Sequence, residues 1–240
     1  GYRLNTGRIR DQWHTMTRTG LSPRLFNHLA EPFVEINPED AAQLGLANAG
    51  LAEVAGEHGR SILRVLVSDR MSRGQVFQPM HWSKPYAAEA IANAATRRRV
   101  DPLSGQPDFK LSPVRVRRFE ASWYGFGVTM STHDLPFPYW ARTPLQSGCA
   151  FECAGIIPRM NGTLQAAALL GADPERDDLP VFEDRASGMF GAALFREGVF
   201  LGAFFAGPAP VEVSRSWIIG QMGTVPANRQ QILAGRPVSA

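Results

Sequence analysis

Only two cysteines, Cys149 and Cys153, occur among the 240 residues. A tetrahedral zinc or an iron–sulfur cluster wants about four ligands, usually with a closer CxxC pair. The CxxxC spacing therefore supports no metal and reads as two buried or idle thiols in a reducing compartment. No uninterrupted apolar run approaches the roughly 18 residues a membrane span needs; the nearest candidate, 189–206, is broken by Arg196 and Glu197. No GxGxxG or GxxxxGKS/T motif follows a strand pattern, which removes the commonest nucleotide-binding turns. A large charge surplus is missing too: a net charge of +3 is too small to imply nucleic acid. The opening Gly1-Tyr2-Arg3-Leu4 lacks an initiator Met, a charged n-region and an apolar h-region, so no signal peptide is expected there and the chain reads as cut from something longer.

What is present is an ordinary globular composition, 44% apolar and 20% charged, in a chain long enough for one large or two modest cores. Residues 2–118 read as a β-rich unit. Phe33-Val34-Glu35-Ile36 is a short strand, and Asn37-Pro38 then supplies an N-cap and a Pro for a short helix, 39–44, that stops at Gly45. Residues 51–55 and 62–67 form a hairpin across Gly56-Glu57-His58-Gly59-Arg60. Residues 75–77 and 114–116 are further brief strands, and the Ala-rich stretch 85–95 is expected to be helical. Many short strands with one-turn helices between them predict a mainly β fold, a closed barrel and not a doubly wound sheet. Residues 119–240 are expected to form a second, smaller α+β module. It would hold an aromatic, Pro/Gly-rich stretch to about 180, a helix starting at 162 or 163 and ending at 170, an acidic linker over 173–179, and a doubly buried hairpin near 189–206.

Three segments carry candidate chemistry. Residues 5–20 pack three arginines (Arg8, Arg10, Arg18) and four threonines (Thr6, Thr15, Thr17, Thr19) around Gly7. A long anionic ligand requires such a set, with close backbone approach at the glycine, hydroxyl and amide donors, and guanidinium groups for phosphate. A polar exposed loop has the same composition. Pro79-Met80-His81-Trp82 follows a strand; His81 beside Trp82 fits either a catalytic or ring-stacking pair or a satisfied interior histidine with a packing tryptophan. The third segment is Asn93 with the loop 100–110, where Asp-Pro, Ser-Gly and Gln-Pro are turn punctuation and Gln106, Asp108 and Lys110 could also meet a heterocycle edge. The runs Arg97-Arg98-Arg99 and Arg115, Arg117, Arg118 read as solvated faces or, less often, anion sites.

In this order and spacing the segments resemble the dinucleotide-binding domain of molybdopterin oxidoreductases that use molybdenum bis(molybdopterin guanine dinucleotide). Thr6-Gly7-Arg8 with Trp13-His14-Thr15 is similar to the cofactor loop of nitrate reductases. Glu35-Ile36-Asn37-Pro38-Glu39-Asp40-Ala41 with Leu44-Gly45 resembles a structural signature of the domain, and Asn93 and Lys110 match two later cofactor positions. The stretch from Asp101-Pro102 through Phe109-Lys110 looks like nitrate reductases, and Pro79-Met80-His81-Trp82 like the assimilatory, cytoplasmic type. The match is strong over 2–118 and weaker through 184–190.

The resemblance implies a double-psi β-barrel in the C-terminal part of an assimilatory nitrate reductase. That enzyme reduces nitrate to nitrite by oxygen-atom transfer at molybdenum, with a 4Fe–4S cluster in amino-terminal domains this chain lacks and an electron donor protein or reductase subunit as partner. It implies cofactor contacts at Thr6, Gly7, Arg8, Arg10, Trp13, His14, Thr15, His81, Asn93 and Lys110. Arg8, Arg10 and Lys110 would neutralise pyrophosphate, Thr6, Thr15 and Asn93 would orient ring and sugar, and His81 would help wall the pterin. No residue here is expected to be catalytic or metal-ligating, and neither nucleic acid nor membrane is an expected partner. A molybdenum formate dehydrogenase shares this domain, and a non-catalytic β-barrel binding module with a dimerising hairpin domain is the reading from another class.

Overall fold

The structure is a computed structural model that describes residues 1–26, 28–157 and 162–237. Two compact units divide the chain, Gly1–Glu120 and Ala121–Ala240. They are equal in length.

The first unit is a closed barrel of six strands: β1 (Tyr2–Gly7), β2 (Phe33–Ile36), β3 (Leu51–Ala55), β4 (Arg60–Val67), β5 (Gln75–Pro79) and β6 (Ser112–Arg118), in the order β1-β5-β2-β4-β3-β6. Two pairs are parallel, β1 with β5 and β2 with β4, and the rest antiparallel, the arrangement expected of a double-psi barrel. Strand alternation sends Leu4 and Thr6 inward on β1 and Val114 and Val116 inward on β6. Helix α1 (Pro38–Gln43) starts where Asn37 accepts a hydrogen bond from the Glu39 amide at 2.9 Å, and it ends before Gly45 at φ 64°, a left-handed C-terminal glycine.

The expected helix over 85–95 is absent; the segment holds one 3-10 turn, Ala92–Ala94. Its carbonyls serve the barrel and not a helical ladder. Glu89 O accepts from the Ile62 amide at 2.8 Å, Ala90 O from Gln78 Nε2 at 3.1 Å, and Ile91 O from Ser61 Oγ at 3.2 Å. Ala87, Ala90, Ala92 and Ala95 are buried. Their small side chains let backbone lie flush on the strands, and three long-range bonds outweigh alanine's modest helix propensity.

The second unit is one antiparallel sheet ordered β10-β11-β12-β7-β9-β8. Its strands are β7 (Trp123–Thr129), β8 (Tyr139–Pro144), β9 (Cys149–Gly155), β10 (Val181–Asp184), β11 (Met189–Arg196) and β12 (Val199–Gly207). Helix α2 (Gly162–Leu170) packs on one face with Phe190, Leu194 and Phe204. Helices α3 (Arg215–Gln221) and α4 (Arg229–Ala234) cover the other with Ala193, Phe195 and Phe205. Burial on both faces explains the unbroken apolar runs of β11 and β12. Strands β7 to β9 lay hidden in the aromatic, Gly-rich stretch because their glycines seat rings from neighbours: a Cβ at Gly127 would lie 2.3 Å from the Phe151 ring. The expected acidic linker is partly sheet-bound, with Asp177 paired to Arg196 at 2.6 Å and Asp178 bridged to Phe195.

Candidate functional site

Strand pairing gathers the candidate loops. Parallel register sets Gly7 beside Pro79, so β1 and β5 stop at the same end of the barrel. Strand β6 runs antiparallel to β1 with Ser112 opposite Leu4, so the 100–111 loop arrives at that end. Ala55 opposite Arg115 puts the β3–β4 turn there too. The fit is close: a Cβ at Gly56 would sit 2.1 Å from Ala95 O.

The loop after β1 is built around a buried ring. His81, with no exposed surface, accepts the Ile9 amide at Nε2 over 3.0 Å, and its Nδ1 lies 2.6 Å from His14 O. An amide only donates and a carbonyl only accepts, so the ring is the neutral tautomer with its proton on Nδ1. Burial pushes its pKa below the ordinary 6.5, with Arg8 nearby acting the same way. His81 was expected to wall the pterin. Both nitrogens are spent on backbone and the ring is enclosed, so the structure corrects that role to the interior one. Gln12, also buried, accepts from Thr19 Oγ1 at 2.6 Å and donates to Leu25 O at 3.2 Å. Met16 is fully buried, and His14 and Met16 hold φ of 41° and 64°, values that strain non-glycine backbone.

Facing outward, Arg8 lies over the Trp13 ring at 5.1 Å, and His14 meets that ring edge-on at 4.4 Å. Trp13 is 46% exposed, a large apolar face left open. Thr15 is exposed, its carbonyl accepting from Ser83 Oγ at 3.3 Å. Arg10 departs from expectation. Its guanidinium is paired with Asp11 at 3.0 Å and lies against His28, so an internal carboxylate already answers the charge meant for pyrophosphate. Gly7 departs as well, since a Cβ there would come within 2.8 Å of the Phe77 ring. The glycine answers to packing against Phe77 before any ligand.

Lys110 Nζ donates to Thr6 O, and Thr6 Oγ1 to Phe109 O at 3.3 Å. Thr6 is buried, so it locks two segments together and does not reach a ring or sugar. Lys110 likewise spends one donor on the protein. The 100–108 loop is organised by Asp101, whose carboxylate accepts from Leu103 N, Ser104 N and Ser104 Oγ at 3.1, 2.8 and 2.9 Å, and these donors lower its pKa. Asn93 is exposed on the Ala92–Ala94 turn, its carbonyl accepting from Thr96 Oγ1 at 3.1 Å. Next in the chain, Arg97 pairs with Asp108 at 3.0 Å.

The cofactor contacts implied by the sequence leave out several residues of this rim. Arg98 and Arg99 are exposed and, like Arg8, make no ion pair with a described residue; the arginine run was their signal. Trp82 is 1% exposed and its indole N–H has no partner among the described residues; nothing in the sequence marks an orphaned donor. An apolar cavity of about 420 Å³ lies elsewhere, in the second unit, where Phe182, Phe190, Phe205 and Leu233 line it.

Residues 2–113 match the family described as the molydopterin dinucleotide binding domain. Over that span the chain is similar to molybdopterin oxidoreductases. It is 39% identical over 155 residues to a nitrate reductase of Klebsiella oxytoca, covering 63% of this chain and 18% of that protein. It is 34% identical over 115 residues to the F420-dependent formate dehydrogenase subunit alpha of Methanocaldococcus jannaschii, covering 48% and 16%. Among solved structures, acetylene hydratase from Pelobacter acetylenicus is similar over 49% of this chain and 18% of that one, at TM-score 0.44 and 16% identity. The chain thus spans under a fifth of the curated relatives' length.

The rim residues fit the chemistry of a molybdopterin dinucleotide. Unpaired Arg8, Arg98 and Arg99 suit a pyrophosphate, and the open Trp13 face suits a flat heterocycle. The orphaned Trp82 donor is a buried group still lacking the acceptor such sites supply.

Proposed function

We propose that this chain is the cofactor-anchoring C-terminal portion of an assimilatory, cytoplasmic nitrate reductase. In this reading it holds the dinucleotide arm of molybdenum bis(molybdopterin guanine dinucleotide) at the rim where β1 and β5 end. The observation that carries the reading is the parallel Gly7–Pro79 register, which brings the 8–20, 80–99 and 100–111 loops to one end. Upstream domains bearing a 4Fe–4S cluster and an electron donor protein or reductase subunit belong to the same proposal.

When bound, molybdenum supplies the oxygen-atom transfer chemistry that turns nitrate into nitrite. The residues of this chain bind and orient. Arg8, Arg98 and Arg99 offset phosphate charge, Trp13 and His14 offer ring surface, and Asn93 offers an amide to ring or sugar. Lys110 and Thr6 hold the 100–111 loop against β1 so that these groups keep one geometry.

The test uses the complete enzyme. Replacing Arg8, Arg98 and Arg99 together by Ala should lower molybdenum content severalfold and nitrate turnover with it, with the barrel still folded. Full molybdenum occupancy in that variant would overturn the reading. The 240-residue chain alone should reduce no nitrate with reduced viologen.

The 34% identity to a formate dehydrogenase subunit favours formate oxidation as the second reading. Complete enzyme that oxidises formate and leaves nitrate untouched would establish it.

A further inference from the structure

We infer that His81 is a positioning residue for the ligand-facing loop: one ring nitrogen on each of two backbone groups, Ile9 N–H and His14 C=O, fixes the turn that presents Arg8, Trp13 and His14. The inference rests on the proposed cofactor site at this rim. Residues 80–83 grip residues 7–15 at four places. Met80 N donates to Gly7 O at 3.0 Å, Ile9 N to His81 Nε2 at 3.0 Å, His81 Nδ1 to His14 O at 2.6 Å, and Ser83 Oγ to Thr15 O at 3.3 Å.

The ring spans a stretch whose backbone would otherwise relax, because His14 at φ 41° and Met16 at φ 64° hold left-handed geometry without being glycine. His14 both supplies the carbonyl His81 binds and packs its own ring against Trp13 at 4.4 Å. Loss of the His81 link therefore frees the aromatic face and Arg8, which lies over it. Protonation has the same effect, since an imidazolium cannot accept the Ile9 amide. The charged or titratable groups facing the ring are Arg8 and His14 of this loop.

The experiment uses the isotope-labelled 240-residue chain, guanosine diphosphate as probe, and the variants His81→Leu and His81→Gln. Leu fills the space without either bond, and Gln can offer Ile9 an acceptor. Ring nitrogen shifts should report the Nδ1–H tautomer, and the Ile9 amide should exchange slowly with solvent. His81→Leu should weaken nucleotide binding about tenfold and expose the Ile9 amide, with little change in barrel melting. His81→Gln should recover Ile9 protection and most of the affinity. Affinity in the wild type should decline as pH falls through the lowered His81 value, below the ordinary 6.5, and Ile9 protection relative to unstructured-chain exchange should fall in step. A purely structural role would lower melting in both variants without this split.

An Nε2–H tautomer, or nucleotide binding by His81→Leu equal to wild type, would overturn the inference and leave the rim site standing. Wild-type chain that fails to bind the nucleotide would overturn the site reading and the inference with it. Should His81→Leu not fold, the tautomer and the Ile9 exchange of His81→Gln decide the matter.

Discussion

The ammonium of Lys110 donates to the backbone carbonyl of Thr6, 104 positions earlier in the chain. That bond joins the loop feeding β6 to the penultimate residue of β1, and the Thr6 hydroxyl returns one to Phe109 O.

Lys110→Met should loosen this clasp. Exposed charged hydrogen bonds contribute modestly, so a stability loss of about 0.5–1 kcal/mol is expected. Molybdenum content of the complete enzyme should fall more than that stability change explains, because the loop is then unregistered. Elemental analysis beside a denaturant titration separates the two, and unchanged molybdenum would count against the clasp.

Gly7→Ala should act through Phe77 and not through the ligand, since its Cβ would meet that ring at 2.8 Å. The single variant should destabilise the barrel by about 1–3 kcal/mol, the cost of overpacking. Adding Phe77→Leu should restore part of it. A double variant no more stable than the single one would locate Gly7's constraint elsewhere.

Glu53 is buried between Arg117 at 2.8 Å and Arg60 at 3.0 Å, and the hydrogen bond from Arg117 above all holds its carboxyl below the ordinary 4.5. The sign follows: the folded state binds the proton more weakly, so the pair stabilises above pH 4.5 and the gain is lost as pH falls through the lowered value. Glu53→Gln should cost about 1 kcal/mol near pH 7, and the gap to wild type should close under acid conditions. Urea midpoints across pH measure this; a gap that persists in acid would show that shape and not charge sets the effect.

In the second unit Phe204 is fully buried, with ring centroids 6.2 Å from Phe151, 6.4 Å from Phe190 and 6.5 Å from Trp123. Phe204→Ala should cost about 3–5 kcal/mol. Because that residue belongs to a unit with its own core, nucleotide binding at the barrel rim should be unaffected at temperatures where both units remain folded. Calorimetry with a nucleotide titration checks both halves of the statement.

The sequence by itself determined the local pieces whose cause is local. Asn37-Pro38 and Gly45 bracket α1 because a side-chain cap and a left-handed C-terminus are choices made within a few residues. The alternation at 114–116 and the double apolar runs of 189–206 reveal strands because burial is periodic along one segment. The arginine- and threonine-rich loop was legible as an anion-binding composition.

Only the tertiary structure decided which of those groups are free. Arg10 is lost to Asp11 and His28, His81 to two backbone groups, and Thr6 to Phe109, while Arg8, Arg98 and Arg99 are left open. It also turned 85–95 from a helix into an apron on the barrel and made strands of 123–155. Such outcomes depend on partners tens of residues away: a hydrogen bond or a ring seated over a glycine is set by which strands lie side by side, and strand register is a property of the closed barrel or sheet, not of any one segment.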